Sequence, residues 1–562
     1  MLKRKADIIN IINKFAPGIL AFLGYYEITS GLRIPFNFTI NRVTYTYLFQ
    51  APLLGVFELD LTTYLTLTAT LIYRRRLKLE PHWTIPLIIS NLTMALGFIF
   101  NATWLSHLSL GSACLITALS QTSPTKRIAK LLPGILISLF TLETLSLISL
   151  ISYYMLGGWN QTLLRIILTE RLLWSPIEWT SIIILITASW IALTRILIGK
   201  PLIKFPKIKF NQKEEEKRGR KQKNILMLAS ALLLTATIVI LPHLPTVNPQ
   251  LKPISVDTFS YVSFLNEAKD KGLANALTER GAGRPIYLLA IYSLWTILGK
   301  NPTLLMDIIH HLLALTMLTL ISFYAAYKLN GKETASWAAL LTPLGYAATS
   351  FLAGGYQANS IALTTALLTL TINPKNTKKW ILLTALLTLT GLIHPWTHLM
   401  YSAILVAHNL RDKRKLLSVI AAAALSYSIV YTVDSALTPS YRVETPVKPL
   451  IDHIEFYPIK NWFNAIQLWI WNTLSNPIYL STVLLEPTPQ TISAIGVIAP
   501  LTLFLPPDLV CRLILNLPIQ LQAAKILKKI PSTTIRSLLI LTLLVRVLGN
   551  LTGLTPLDKP PA

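Results

Sequence analysis

Seventeen stretches of this chain are apolar and spaced like membrane spans, and that pattern limits the fold before any single residue is weighed. A helix needs about 20 apolar residues to cross roughly 30 Å of hydrocarbon. The candidate spans lie at 8–28, 47–73, 84–102, 104–122, 131–155, 177–198 and 224–242. Ten more follow at 303–327, 334–353, 357–373, 380–394, 396–410, 415–433, 463–485, 490–505, 508–524 and 532–550. The expected fold is therefore an all-α polytopic membrane protein. Composition agrees: 52% of the 562 residues are hydrophobic and 14% charged, where soluble domains carry about a quarter charged residues. An ordinary cytosolic enzyme, a disordered chain and a collagen are all excluded. The start at Lys3-Arg4-Lys5 does not read as a signal peptide, because no small-residue cleavage site follows a clean apolar core. Cys114 and Cys511 lie far apart in apolar stretches and imply no disulfide framework.

The net charge of +26 would suggest nucleic acid on a soluble protein. Its placement says otherwise. With the N-terminus in the cytoplasm and each span reversing direction, 32 of the 51 Lys and Arg fall in inside segments and 14 in outside ones. That asymmetry is the positive-inside pattern of membrane insertion, and it explains the basic balance with no nucleic-acid partner. Four regions follow: a six-span part at 1–198, a basic cytoplasmic linker at 199–223, a seven-span module at 224–433, and an outer loop with about four spans at 434–562. No internal repeat relates the halves, which argues against an inverted-repeat transporter. Glu27, Glu58, Asp60 and Glu143 sit in or near the early spans, where pairing between helices accounts for them best.

The longest polar stretch of the 224–433 module is 243–301. It opens on Pro245, Pro249 and Pro253 and so begins extended. Asp257-Thr258-Phe259-Ser260-Tyr261 then leads a stretch with apolar residues every three positions, ending at Gly272, which predicts an interfacial helix over 257–271. Arg284-Pro285-Ile286-Tyr287 opens a second apolar piece, too short to span comfortably, predicting a juxtamembrane helix over 285–299. Asp257 also suits a helix N-cap, and Arg284, Arg280 and Lys252 suit cations snorkelling at an interface. Beyond the loop, Asp307 and His310 share a helical face with His311 beside them, at the outer end of the next span. Gln357 and Asn359 lie in an outer turn, as do His394, Trp396 and His398. The four-residue spacing of the last two histidines suits metal on an unbroken helix, but Pro395 breaks that helix at its start.

One span, an outer loop with Asp at the head of an interfacial helix, an Arg-Pro-x-Tyr second helix and six further spans resembles the GT-C superfamily over about 224–433. Its members are polyprenyl-phosphate-sugar-dependent membrane glycosyltransferases, such as protein O-mannosyltransferases and the aminoarabinose transferase. The resemblance implies that Asp257 is the catalytic carboxylate and that Arg284, with Arg280 and Lys252 as alternates, holds the donor phosphate. Tyr261, Tyr287, Asp307, His310, His311, Gln357, Asn359, His394, Trp396 and His398 would contact substrate or support the site. The partners implied are a polyprenyl-phosphate lipid donor, a glycan, lipid or protein acceptor, and membrane lipids, with the active site on the outer face of the cell membrane. No cofactor is specified and a divalent cation stays open; the Asp-x-Asp motif of the oligosaccharyltransferase branch is replaced here by Asp257-Thr258-Phe259. A lipid-sugar flippase and a catalytically inactive scaffold of the same fold are the competing readings.

Overall fold

A computed structural model describes residues 2–31, 36–40, 43–47, 81–100, 102–120, 122, 127–156, 163–164, 166–167, 170, 185, 187–199, 220–248, 251–280, 284–299, 301–354, 356–437, 488–504, 513–530 and 532–552. The spans expected at 47–73 and 463–485, the linker at 200–219, Glu58, Asp60 and the loop at 438–462 lie outside the described residues. The chain is a helical membrane protein. Lys130–Tyr153, Asn224–His243, Pro302–Asn330 and Lys413–Leu437 are each long and apolar enough to cross a membrane. One departure from an all-α reading is small: Phe36–Ile40 and Val43–Tyr47 pair as an antiparallel hairpin, with Phe36 opposite Tyr47. Both segments alternate Thr or Asn with aromatic and β-branched residues, which suits a strand.

The chain divides into two compact units, and the division is not sequential. Met1–Glu178 forms one unit together with Ser532–Gly553; Trp179–Pro531 forms the core of the other. The C-terminal helix Thr533–Thr552 therefore belongs with the N-terminal helices, not with the 434–562 region in which the sequence reading grouped it. In the first unit Leu2–Gly31 packs against Thr103–Ser120 and Arg127–Leu156, and Thr533–Thr552 against Arg127–Leu156. A Cβ on Gly24 would lie 2.7 Å from the carbonyl oxygen of Gly111, so this crossing requires glycine. The buried acids are paired, as the sequence suggests. His107 Nδ1 lies 2.6 Å from Glu27 Oε2, and Arg546 Nη1 donates to Glu170 at 2.8 Å and to Glu143 at 3.5 Å.

In the second unit the Gln357–Thr369 helix lies between His310–Asn330 and Thr377–Ile393, which in turn packs on Lys413–Leu437. Two predicted spans are interrupted. The stretch 334–353 is two helices, Lys332–Leu341 and Tyr346–Gly354, because Pro343 has no N–H and clashes with the preceding turn. Within 508–524 the described part is a turn up to Pro518, then the short helix Ile519–Lys529, which buries Leu521, Ala524 and Leu527 against Lys332–Leu341.

Helices form at both places where the sequence predicts them, Thr258–Lys271 and Pro285–Leu298, with an additional helix at Leu273–Arg280 between them. Gly272, at φ 87°, lets the chain turn between the first two, a conformation L side chains rarely adopt. Pro285 occupies the first turn of its helix, where a missing N–H costs nothing. At about 1.5 Å per residue that 14-residue helix is roughly 21 Å long, short of a bilayer crossing. Tyr261, Phe264, Leu265, Tyr287, Leu288, Ile291, Leu305 and Met306 form the core beneath the site.

Candidate functional site

The centre of the site is Asp307, and its hydrogen-bond partners come from two other segments. Its Oδ2 accepts from His243 Nε2 at 2.8 Å and from the backbone N–H of Ile254 at 2.8 Å. Its Oδ1 accepts from the backbone N–H of Ser255 at 3.0 Å and from Thr258 Oγ1 at 2.9 Å. All of these partners except His243 lie within Ile254–Thr258, at the start of the Thr258–Lys271 helix. A buried carboxylate that accepts this many donors is held in its ionised form. The structure thus changes the expected role of Asp307. Its histidine partner is His243, not His310, because the helix widens to a π turn over Leu305–Ile309 and breaks the α spacing between Asp307 and His310.

Gln357 stands over that turn. Its Nε2 lies 3.3 Å from Met306 O, 3.1 Å from Thr258 Oγ1, 3.3 Å from Ser255 Oγ and 3.4 Å from His311 Nε2. Two amide protons thus serve four neighbours, and Gln357 is wholly buried, not offered to a sugar in solvent as a turn residue would be. His310 Nδ1, His311 Nδ1 and Gln357 Oε1 are buried without a hydrogen-bond partner.

Asp257 occupies the N-cap position of Thr258–Lys271, yet its side chain makes no capping hydrogen bond. It is partly exposed, between the exposed apolar side chains of Val256 and Phe259. Across from it, Arg284 heads the Pro285–Leu298 helix and donates from Nη1 to Tyr261 Oη at 2.6 Å. The Tyr261 and Tyr287 rings meet edge-on with centroids 5.1 Å apart, and Tyr287 Oη lies 3.1 Å from His310 Nε2. Burial pushes the Tyr287 phenol well above its ordinary range; the Tyr261 side chain and the Asp257 carboxylate push the same way, and Arg284 opposes them. The charges of Asp257 and Arg284 therefore bear on one phenol. Lys252 has its backbone tied to Asn248, whose Nδ2 donates to its carbonyl at 2.7 Å, and Arg280 ends the Leu273–Arg280 helix.

Asn359 and His394 belong to a second cluster around Thr397. His394 caps the Pro395–Asn409 helix, its Nδ1 accepting from the Thr397 N–H at 3.3 Å. Thr397 Oγ1 lies 2.7 Å from Asn359 Oδ1 and 3.0 Å from Asn516 Oδ1, while Tyr401 donates to the Asn516 carbonyl at 3.1 Å. His398 turns elsewhere, with Nε2 2.8 Å from Ser426 Oγ and its ring stacked on Tyr427. The His394–His398 spacing is thus not a metal pair, and among the described residues no group of three His, Cys, Asp or Glu side chains is placed to hold a metal. Trp396 is partly exposed beside them. Gln357 and Asn359, two residues apart, send their side chains to different clusters.

No protein-family, curated-protein or solved-structure comparison matches this chain. The site is therefore read from its own geometry. Residues the sequence reading passed over are His243, Ser255, Thr258, Thr397 and Asn516. Only His243 carried a local signal, as an imidazole at the polar end of an otherwise apolar helix.

Proposed function

We propose that this chain is a membrane glycosyltransferase that moves a sugar from a polyprenyl-phosphate donor to an acceptor at the outer face of the membrane. The observation that supports it most is Asp257: an acidic side chain at the head of an interfacial helix, not spent on capping, in the same local field as Arg284. In this reading the Asp257 carboxylate takes the proton of the acceptor hydroxyl. The acceptor oxygen bonds to the anomeric carbon, and the bond from that carbon to the phosphate oxygen breaks. The lipid phosphate leaves with the electron pair, and its growing charge is stabilised by the Arg284 guanidinium. Asp307, His243, Gln357 and Tyr287 support these two residues and touch no substrate. The seven-span module at 224–433, the outward orientation and the cell-membrane location belong to the same proposal.

The direct test is to incubate the purified protein with polyprenyl-phosphate sugars and a crude membrane acceptor and to measure transfer. Turnover with at least one donor is expected; none with any donor would favour the scaffold or flippase reading. Arg284→Ala should weaken donor capture and also slow transfer, by roughly 10²–10³, the weight of one stabilising donor at a developing anion. Transfer kinetics at saturating and limiting donor separate the two effects. Topology is checked independently. A cysteine at Asp270, exposed on the Thr258–Lys271 helix, should react with an impermeant maleimide from outside, and one at Lys332 only after permeabilisation. Labelling of both from outside would remove the outward-facing site.

A further inference from the structure

His243 sits between two acceptors. Its Nδ1 is 2.7 Å from the carbonyl oxygen of Val239, one turn back, and its Nε2 is 2.8 Å from Asp307 Oδ2. A carbonyl oxygen can only accept, so Nδ1 must carry a proton. Nε2 faces a carboxylate oxygen that already accepts the Ile254 N–H, on a carboxyl group whose other oxygen accepts from Ser255 and Thr258. An unprotonated Nε2 there would set lone pair against lone pair. With three further donors favouring the ionised carboxylate, the proton between the two groups rests on the imidazole.

We infer that His243 is an imidazolium, protonated on both ring nitrogens, and that it is a positioning residue: it fixes Asp307, and through Asp307 the Ile254–Thr258 segment that carries Asp257. The chain of contacts is short, part-buried at His243 and buried from Asp307 onward. His243 is anchored to its own helix by Val239, Asp307 to the opposite helix by its backbone, and the segment hangs on the carboxylate by two amides and a hydroxyl. Nearby, His311 is a buried imidazole whose Nε2 lies 3.4 Å from Gln357 Nε2. Each carboxylate oxygen has two donors, and removing the imidazole would leave one oxygen short of its charged partner. The inference rests on the glycosyltransferase reading only for what Asp257 does once positioned.

Two measurements on the full chain test it. Protein labelled with ¹⁵N-histidine should show one imidazole with both nitrogens protonated at neutral pH, and that signal should vanish in His243→Gln. A neutral, singly protonated His243 would overturn the inference without any variant needing to fold. Amide hydrogen exchange should then show the 251–260 segment exchanging roughly 10–100-fold faster in His243→Leu than in wild type, the weight of a lost charged hydrogen bond. His243→Gln, which keeps an N–H for Asp307, should fall between them. Equal exchange in wild type and His243→Leu would overturn it. If exchange responds while wild-type protein transfers no sugar, the positioning role stands and the enzyme reading falls.

Discussion

Asp257→Asn should leave the protein folded and cut sugar transfer by on the order of 10²–10⁴, the usual weight of a general acid–base group. The substitution is discriminating because Asn is as good an N-cap as Asp. It also keeps the side-chain volume at a partly exposed position. In the structure the Asp257 side chain does not cap the helix it heads, and Thr258, the first helical residue, is anchored to Asp307 instead. Loss of the carboxylate therefore removes a base without removing a helix cap. Turnover of wild type and variant under the same donor and acceptor, with amide exchange of the 251–260 segment as the control for folding, is the measurement. Equal turnover would remove Asp257 from the chemistry.

The second large effect belongs to the other unit. Arg546→Ala should destabilise it by about 3–5 kcal/mol, because breaking a buried ion pair leaves uncompensated charge behind. Here the charge left behind is double. Glu143 and Glu170 would face one another in an apolar bundle, each less than a tenth exposed. The destabilisation comes from two buried carboxylates that lose the guanidinium they share. The triple variant Arg546→Met, Glu143→Gln, Glu170→Gln should consequently recover most of the stability. Thermal unfolding in detergent of wild type, single and triple variants reads this directly, and a triple variant no better than the single would contradict the argument.

What was legible in the sequence was local. The Thr258 and Pro285 helix starts, and the stops at Gly272 and Gly299, are written in residues that act on their own backbone. The breaks at Pro343 and Pro518 were equally local but were outweighed by apolar runs that read as continuous spans. The strands Phe36–Ile40 and Val43–Tyr47 show period-2 alternation, a local signal that the apolar spans around them overshadowed. The pairings were not legible. Asp307 and His243 are 64 positions apart, and an α-helical spacing rule points Asp307 at His310 until the π turn re-aims it. Asn359 and Asn516 meet at Thr397 from 38 and 119 positions away, and nothing near either residue announces the other. Glu143 was expected to be paired, but its partner Arg546 lies in the helix Thr533–Thr552, where hydrophobic periodicity carries no information about which bundle a helix joins.

That last helix also sets a schedule for biogenesis. Arg546 is synthesised 376 residues after Glu170, a delay of about 20–75 s at roughly 5–20 residues per second. Throughout that interval the N-terminal bundle holds two acids with their guanidinium not yet made. The early helices must wait, protonated, hydrated or held by insertion machinery, and a chain released before its final helix would expose those acids to quality control as an unfinished protein.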